Sequence, residues 1–308
     1  MTGFPRASPR STGNGRGTAH RPPGTAIPCA TSFRPAIACA SVSRAPPREA
    51  RPVPTPRTPV HRTLGSPFLT EVKLRPERIE DPDQHPFDVR SIAIGLPLRF
   101  ETPVTMFVGE NGTGKSTLLE ALGWALGFDA HGGDVERSFA EGADGHALGR
   151  ALALSWRQRV SGGFFLRAET FHAWVASMEA RGAIFSQYGH RSLNTRSHGE
   201  AFFTLFEGRI EDGVYLLDEP EAALSPDRQL AFLALLHRLE RSRGAQFIIA
   251  THSPILLCYP TATVFRFSSD GIHRIDPRQT EHVRLTRDFL NAPERYFRHL
   301  FDESDPGD

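Results

Sequence analysis

Apolar residues in this chain fall into short unbroken runs, and between them lie stretches with helical spacing. PVTMFVG (103–109), GVYLLDEP (213–220) and AQFIIATHSP (245–254) are apolar runs that end in glycine or in polar residues. Runs of this length without alternation predict strands buried on both faces. FLTEVKLRPE (68–77), VRSIAIGLPLRF (89–100) and GFFLRAETF (163–171) also read as strands, the second with partial alternation and the third running into a turn or helix. STLLEALGWALGF (116–128) sets Leu118, Leu122, Ala125 and Leu126 on one helical face, and Gly127 can end that helix. SPDRQLAFLALLHRLERSR (225–243) predicts an amphipathic helix capped by Ser225, with Pro226 in its first turn. Residues 129–150 are glycine-rich and predict an irregular loop. Strands alternating with helices predict an α/β fold: a mainly parallel core sheet flanked by helices, with the early strands as an antiparallel β layer beside it. No internal repeat is visible.

Composition divides the chain in two. Residues 1–66 hold 12 of the 25 prolines, ten arginines and a single acid, Glu49. Proline there removes donors and fixes φ, and too little apolar surface is present to offset the entropy of ordering. Residues 1–66 are therefore expected to be a disordered Pro/Arg-rich tail, and 67–308 the folded domain. That domain holds 26 basic and 34 acidic residues, so charge gives no reason to expect nucleic-acid binding and leaves the question open. No apolar run approaches the roughly 20 residues of a membrane-spanning helix, so no membrane insertion is expected. Cys29, Cys39 and Cys258 form neither a disulfide framework nor a zinc pattern, which fits a reducing cytoplasm.

Chemistry enters at GENGTGKST (109–117), which matches G-x-x-x-x-G-K-[ST] between an apolar strand and a helix. Gly109, Gly112 and Gly114 let the backbone N–H groups of 109–117, those of Glu110, Asn111, Thr113 and Thr117 among them, turn inward around phosphate oxygens. The helix N-terminus adds partial positive charge. Lys115 is expected to reach the β- and γ-phosphates of ATP, and Ser116 to ligate Mg²⁺. A second element is VYLLDEP: Asp218 emerges at a strand end, where it can hold Mg²⁺ through water, and Glu219 can polarise the attacking water. A third is THS (251–253), which places His252 where another strand leaves the sheet. Ligands of open α/β sheets bind at such strand ends.

In this order the residues resemble the ATP-binding-cassette (ABC) class of ATPases: P-loop 109–117, signature-like RSHGE 196–200, Walker B 214–219, D-loop-like EAALSP 221–226 and switch histidine 252. The resemblance spans about 68–300. Within the class the chain looks most like small soluble bacterial ATPases, commonly named AAA family ATPases, with SHGE-type signatures and YLLDEPEAALSP and ATHSPIL blocks. It implies that Ser197 and Gly199 face the γ-phosphate held by a second subunit. His198 and Glu200 replace the class's glycine and glutamine, and His198 either adds a donor or points aside. A Ser-capped helix is the competing reading of the same stretch. Glu169 stands near the place of the class's Q-loop glutamine and departs from it, leaving a structural use open. Phe87 lies upstream of the P-loop like the class's adenine-stacking aromatic, and a place in the core is the alternative.

The resemblance implies a soluble ATPase whose two copies enclose two ATP molecules, with a process and any further protein partner left unidentified. Two rivals remain. One is the ATP-binding subunit of a transporter, weakened because only 28 residues lead from Glu169 to Ser197, short for a membrane-docking subdomain. The other is a DNA-repair ATPase, which would have to be compact, because the 79 residues of 118–196 contain no heptad run.

Overall fold

A computed structural model describes residues 65–128, 144–169, 203, 212–242 and 244–301. The proline-rich stretch 1–64, most of the 129–150 stretch and the signature 196–200 lie outside the described residues.

A six-stranded sheet has the order β5 (Gly162–Arg167), β6 (Gly213–Asp218), β7 (Ala245–Ala250), β3 (Val104–Val108), β8 (Thr263–Ser268), β9 (Gly271–Arg274). All neighbours are parallel except β9, which returns antiparallel to β8. The unbroken apolar runs make sense here, because both faces are covered. Alternate residues Val104, Met106, Tyr215, Leu217, Phe247 and Ile249 enter one core with Phe232, Leu235 and Leu236 of α4 (Pro226–Ser242). The opposite set, including Phe107, Leu216 and Ile248, enters a second core with Leu118, Leu119 and Leu122 of α2 (Lys115–Leu126). α2 stops at Gly127, whose left-handed φ of 84° lets its N–H reach back to Gly123 and Trp124, as the sequence predicts.

The second core is closed by a three-stranded antiparallel sheet, β2 (Leu98–Arg99), β1 (Leu69–Leu74) and β4 (Leu152–Trp156), in that order. Gln246, fully buried on β7, holds the two sheets together. Its Oε1 accepts from the N–H groups of Phe68 and Leu69, both at 2.8 Å, and its Nε2 donates to the Leu69 carbonyl at 2.8 Å.

The structure corrects two expectations. Residues 89–100 are not one strand. Arg90–Gly95 form the short helix α1, Leu98–Arg99 form β2, and Pro97 stands between them. The apparent alternation misleads because Ile92 is buried while Ile94 is 56 % exposed, so the two do not share a face as they would on a strand. The second correction is at 144–150: Asp144–Ala151 form helix α3 rather than loop, packed against α2. Sequence reading also passes over β4, β8 and β9 and the C-terminal helices α6 (Glu281–Asn291) and α7 (Pro293–Phe301). A short helix, α5 (Pro254–Leu257), follows β7.

Register now places the chemistry. Arg167 of β5 pairs with Asp218 of β6, Asp218 pairs with Ala250 of β7, and Ala250 pairs with Phe107 of β3. Four adjacent parallel strands therefore end level, and whatever follows them shares one rim.

Candidate nucleotide site

β3 ends at Val108 and the P-loop begins. Gly114 is the last residue before α2 and has φ 92°, which L-residues rarely adopt; a Cβ there would come 2.6 Å from Val89 Cγ1. The hydroxyl of Thr113 donates to the Glu110 carbonyl at 2.8 Å and tightens the loop. Ser91, buried on α1, donates to the Thr113 carbonyl at 2.5 Å. The helix that replaces the expected strand thus braces the P-loop from outside.

Lys115 opens α2 and is 4 % exposed. Its Nζ donates to the carbonyls of Gly109 and Glu110, both at 2.8 Å. Burial lowers its pKa, and the nearby acids Glu219, Asp218 and Glu221 oppose that shift. Asn111 and Gly112 are exposed at the loop's tip, and Thr117 is half-buried within the first turn of the helix.

Ser116 Oγ donates to Asp218 Oδ1 at 3.0 Å, bringing together side chains 102 residues apart. Asp218 is 5 % exposed, and burial pushes its carboxyl up to about 6 despite the Arg167 guanidinium and the Ser116 hydroxyl beside it. Arg167 Nε lies 3.6 Å from Asp218 Oδ2, an ion-pair distance too long for a hydrogen bond. Its Nη1 donates to Glu120 Oε1 at 2.5 Å.

Glu219 is the only non-glycine residue with positive φ among the described residues, at φ 50° and ψ 51°. Such backbone costs on the order of 1 kcal/mol and persists only when held from outside. Its N–H donates to the Ala250 carbonyl at 2.9 Å, and Pro220 follows at once. The result turns its carboxylate toward β7, where His252 Nε2 lies 3.5 Å from Glu219 Oε1. His252 is fixed from two further sides. Its backbone N–H donates to Glu221 Oε1 at 2.6 Å, and its Nδ1 lies 2.9 Å from Nε2 of His282 on α6. Burial, then the positive charge of Lys115 and the second histidine, lower the pKa of His252. Burial also raises that of Glu221.

The rim therefore assembles residues 109–117, Asp218, Glu219 and His252. Glu169 is exposed two residues past the end of β5, on the same rim. Phe87 is half-buried and packs into the second core. Ser197, His198 and Gly199 lie outside the described residues. Sequence reasoning missed Ser91, Arg167 and His282, and placed Glu221 only as part of a loop. A histidine in the first turn after a Thr280 cap carries no signal of its own, since its partner is 30 residues away.

A P-loop between β3 and α2, with an acid pair at the end of β6, the parallel strand that β7 separates from β3, defines a P-loop nucleoside-triphosphatase fold. The antiparallel layer and the histidine after β7 are consistent with the resemblance to ABC-class P-loop ATPases that the motifs carry. Two family models match: "AAA domain" over residues 88–150, and "AAA domain, putative AbiEii toxin, Type IV TA system" over residues 201–257. No curated protein matches the chain. Among solved structures, cbiO1 from Clostridium perfringens, part of the ABC transporter complex cbiONQ, aligns at 19 % identity over 68 % of this chain and 91 % of its own, with a TM-score of 0.39. The SMC head domain from Thermotoga maritima aligns at 17 % identity over 68 % of this chain and 98 % of its own, with a TM-score of 0.38. Among the described residues, no helix is long and apolar enough to cross a membrane.

Proposed function

We propose that the chain binds ATP with Mg²⁺ and hydrolyses it to ADP and phosphate, working as a homodimer that encloses two nucleotides. The observation that carries this reading is the contact of Ser116 Oγ with Asp218 Oδ1, flanked by Lys115 on one side and by Glu219 facing His252 on the other.

The donor set suits Mg²⁺. A hydroxyl and a carboxylate, hard oxygen donors, lie together, and burial leaves the carboxylate short of compensating charge. No cluster of three or more His, Cys, Asp or Glu among the described residues could hold a metal. Such an ion must therefore arrive with phosphate oxygens that complete its shell. When bound, it would neutralise charge on the β- and γ-phosphates. Lys115 would leave its two carbonyls for the same phosphates, and the N–H groups of 109–117 would line the rest. Glu219 would accept a proton from the attacking water, and His252 would hold the terminal phosphate from the other side.

Ser197 and Gly199 are assigned to the partner subunit's nucleotide. Residues 67–308 are taken as the ATPase domain, with 1–66 outside it, and the cytoplasm as the setting. The core packing of Phe87 accounts for its apolar character, so no adenine contact is assigned to it. Glu169 stays with the rim as a candidate water contact, and His198 is assigned no role.

ATP binding and turnover of two variants test the reading. Lys115→Ala removes the main positive charge on the phosphates and should abolish binding. Glu219→Gln should bind ATP while turning over at least about a hundredfold more slowly, the lower range for losing a general base. Wild-type turnover in Glu219→Gln would remove Glu219 from the chemistry.

A further inference from the structure

His252 carries an ambiguity that its own surroundings resolve. Its Nδ1 and the Nε2 of His282 are 2.9 Å apart, with ring centroids at 4.9 Å and planes inclined by 56°. One proton bridges such a pair, and it can belong to either ring. The choice fixes what the far side of His252 offers, because a neutral imidazole carries one donor and one acceptor.

Suppose His252 donates from Nδ1. Its Nε2 is then a bare lone pair, 3.5 Å from Glu219 Oε1, and two acceptors face each other. Suppose instead that His282 donates from Nε2. His252 Nδ1 accepts, and His252 Nε2 carries the hydrogen and points it at the carboxylate. Only the second arrangement is attractive. His252 Nε2 is also buried and has no hydrogen-bond partner, so in that tautomer it holds a donor in reserve for an acceptor on that side. The third solution, an imidazolium that donates at both nitrogens, is disfavoured because burial lowers the pKa of both histidines.

The helix that carries the second ring is firmly held. Thr280 caps α6, with its Oγ1 accepting from the Val283 N–H, and its hydroxyl donates to the Pro277 carbonyl at 2.6 Å. Val283, next to His282, is buried in the first core, and α6 packs against α5 just beyond His252. Both histidines are half-buried.

We propose that His282 is a positioning residue: it donates Nε2–H to His252 Nδ1, and so fixes His252 as the tautomer whose Nε2–H faces Glu219 and the terminal phosphate of a bound nucleotide. The proposal rests on the ATPase reading for its consequence, though not for its geometry. A phosphate oxygen can only accept. The wrong tautomer of His252 would meet it with a lone pair, and the site would lose one of its charge-stabilising hydrogen bonds.

The test reads the tautomer directly. Long-range ¹H–¹⁵N spectra of histidine-labelled, nucleotide-free protein near pH 7.5 distinguish Nε2–H, Nδ1–H and charged rings. The expected wild-type result is a neutral His252 protonated at Nε2. His282→Gln places an amide N–H₂ donor near the same point and should keep that tautomer. His282→Glu offers only an acceptor and should convert His252 to the Nδ1–H or the charged form. In turnover, His282→Glu and His282→Phe should lose at least about tenfold in kcat with KM for ATP within about threefold, and His282→Gln should recover most of the loss. A wild-type His252 that is protonated at Nδ1, or is charged, overturns the proposal without any variant. So does a His282→Phe protein that keeps both tautomer and turnover. If the wild-type protein shows the expected tautomer but does not hydrolyse ATP, the ATPase reading fails and the pairing stands.

Discussion

A carboxylate buried at a strand end costs free energy until a cation answers it, and Asp218 carries that cost. Its folded-state pKa is raised from 3.8 to about 6, with burial the largest cause. The sign follows from proton uptake. Between pH 3.8 and about 6 the folded state holds a proton that the unfolded state has lost, so stability falls as pH rises through this window. Below it the penalty is absent, and above it the penalty is full, about 3 kcal/mol at roughly 1.4 kcal/mol per unit. Asp218→Asn should therefore stabilise the nucleotide-free protein at pH 7.5. The gain should approach that figure, about 2–3 kcal/mol, because the shift already includes the attraction to Arg167. The advantage should vanish as pH approaches 4. Thermal melting of both proteins at the two pH values measures it, and an Asp218→Asn protein less stable than wild type at pH 7.5 would contradict it. At this scale the sequence was most legible where the motif is local. Gly114, Lys115 and Ser116 declare a P-loop by spacing alone, and Asp218 and Glu219 follow a strand that composition makes plain. Ser91, Arg167 and His282 were not legible, because each acts through a partner 22 to 47 residues away.

At the scale of elements, β7 does two jobs. Its C-terminal end delivers Thr251 and His252 to the rim, and near its start Gln246 serves three backbone groups of the neighbouring sheet. Replacing Gln246 by Leu would bury the N–H groups of Phe68 and Leu69 and the Leu69 carbonyl without partners. Each orphaned group costs about 1–3 kcal/mol, and relaxation recovers part, so a net loss of about 2–4 kcal/mol is expected. Denaturant unfolding checks this, and a loss under about 1 kcal/mol would mean that other groups or water serve the start of β1. Buried strands such as Val104–Val108 and Ala245–Ala250 were easy to read, since their apolar runs leave one solution. The Arg90–Gly95 helix was not, because six residues hold fewer than two turns and its period cannot be told from alternation. β8 and β9 escaped because TVFRFS and GIHR mix charge with apolar residues: Arg266 is 46 % exposed at its side chain although Phe267 beside it is buried. A sheet's outer strands are half-buried, and their sequences carry half the signal.

At the scale of the whole molecule, the open question is whether one chain makes a complete site. Everything assembled on the rim lies at strand ends of a single subunit, and the remaining assigned groups, Ser197 and Gly199, belong to the proposed partner. If they contact the other subunit's γ-phosphate, they cannot matter to ATP binding by one monomer. Gly199→Asp should then leave monomer affinity nearly unchanged, because its own P-loop is intact, while ATP-dependent dimerisation and turnover collapse under a misplaced side chain and a like charge. Lys115→Ala should fail for the opposite reason, with an intact signature and no nucleotide to offer. Mixing the two inactive proteins separates the roles. In a mixed dimer one composite site pairs the Gly199→Asp subunit's sound P-loop with its partner's sound signature, and the other site carries both defects. Partial recovery of ATP turnover, up to about half per dimer for independent sites, is the expected outcome, because a C₂ arrangement makes each site from both chains. Absence of recovery, with mixed dimers shown to form in ATP, would mean either that the signature does not act in trans or that both sites must fire together. The Gly199→Asp homodimer decides between these, since only a signature in contact with nucleotide requires that it fail to close. A Gly199→Asp protein that dimerises and hydrolyses normally would leave Ser197 as the cap of a helix.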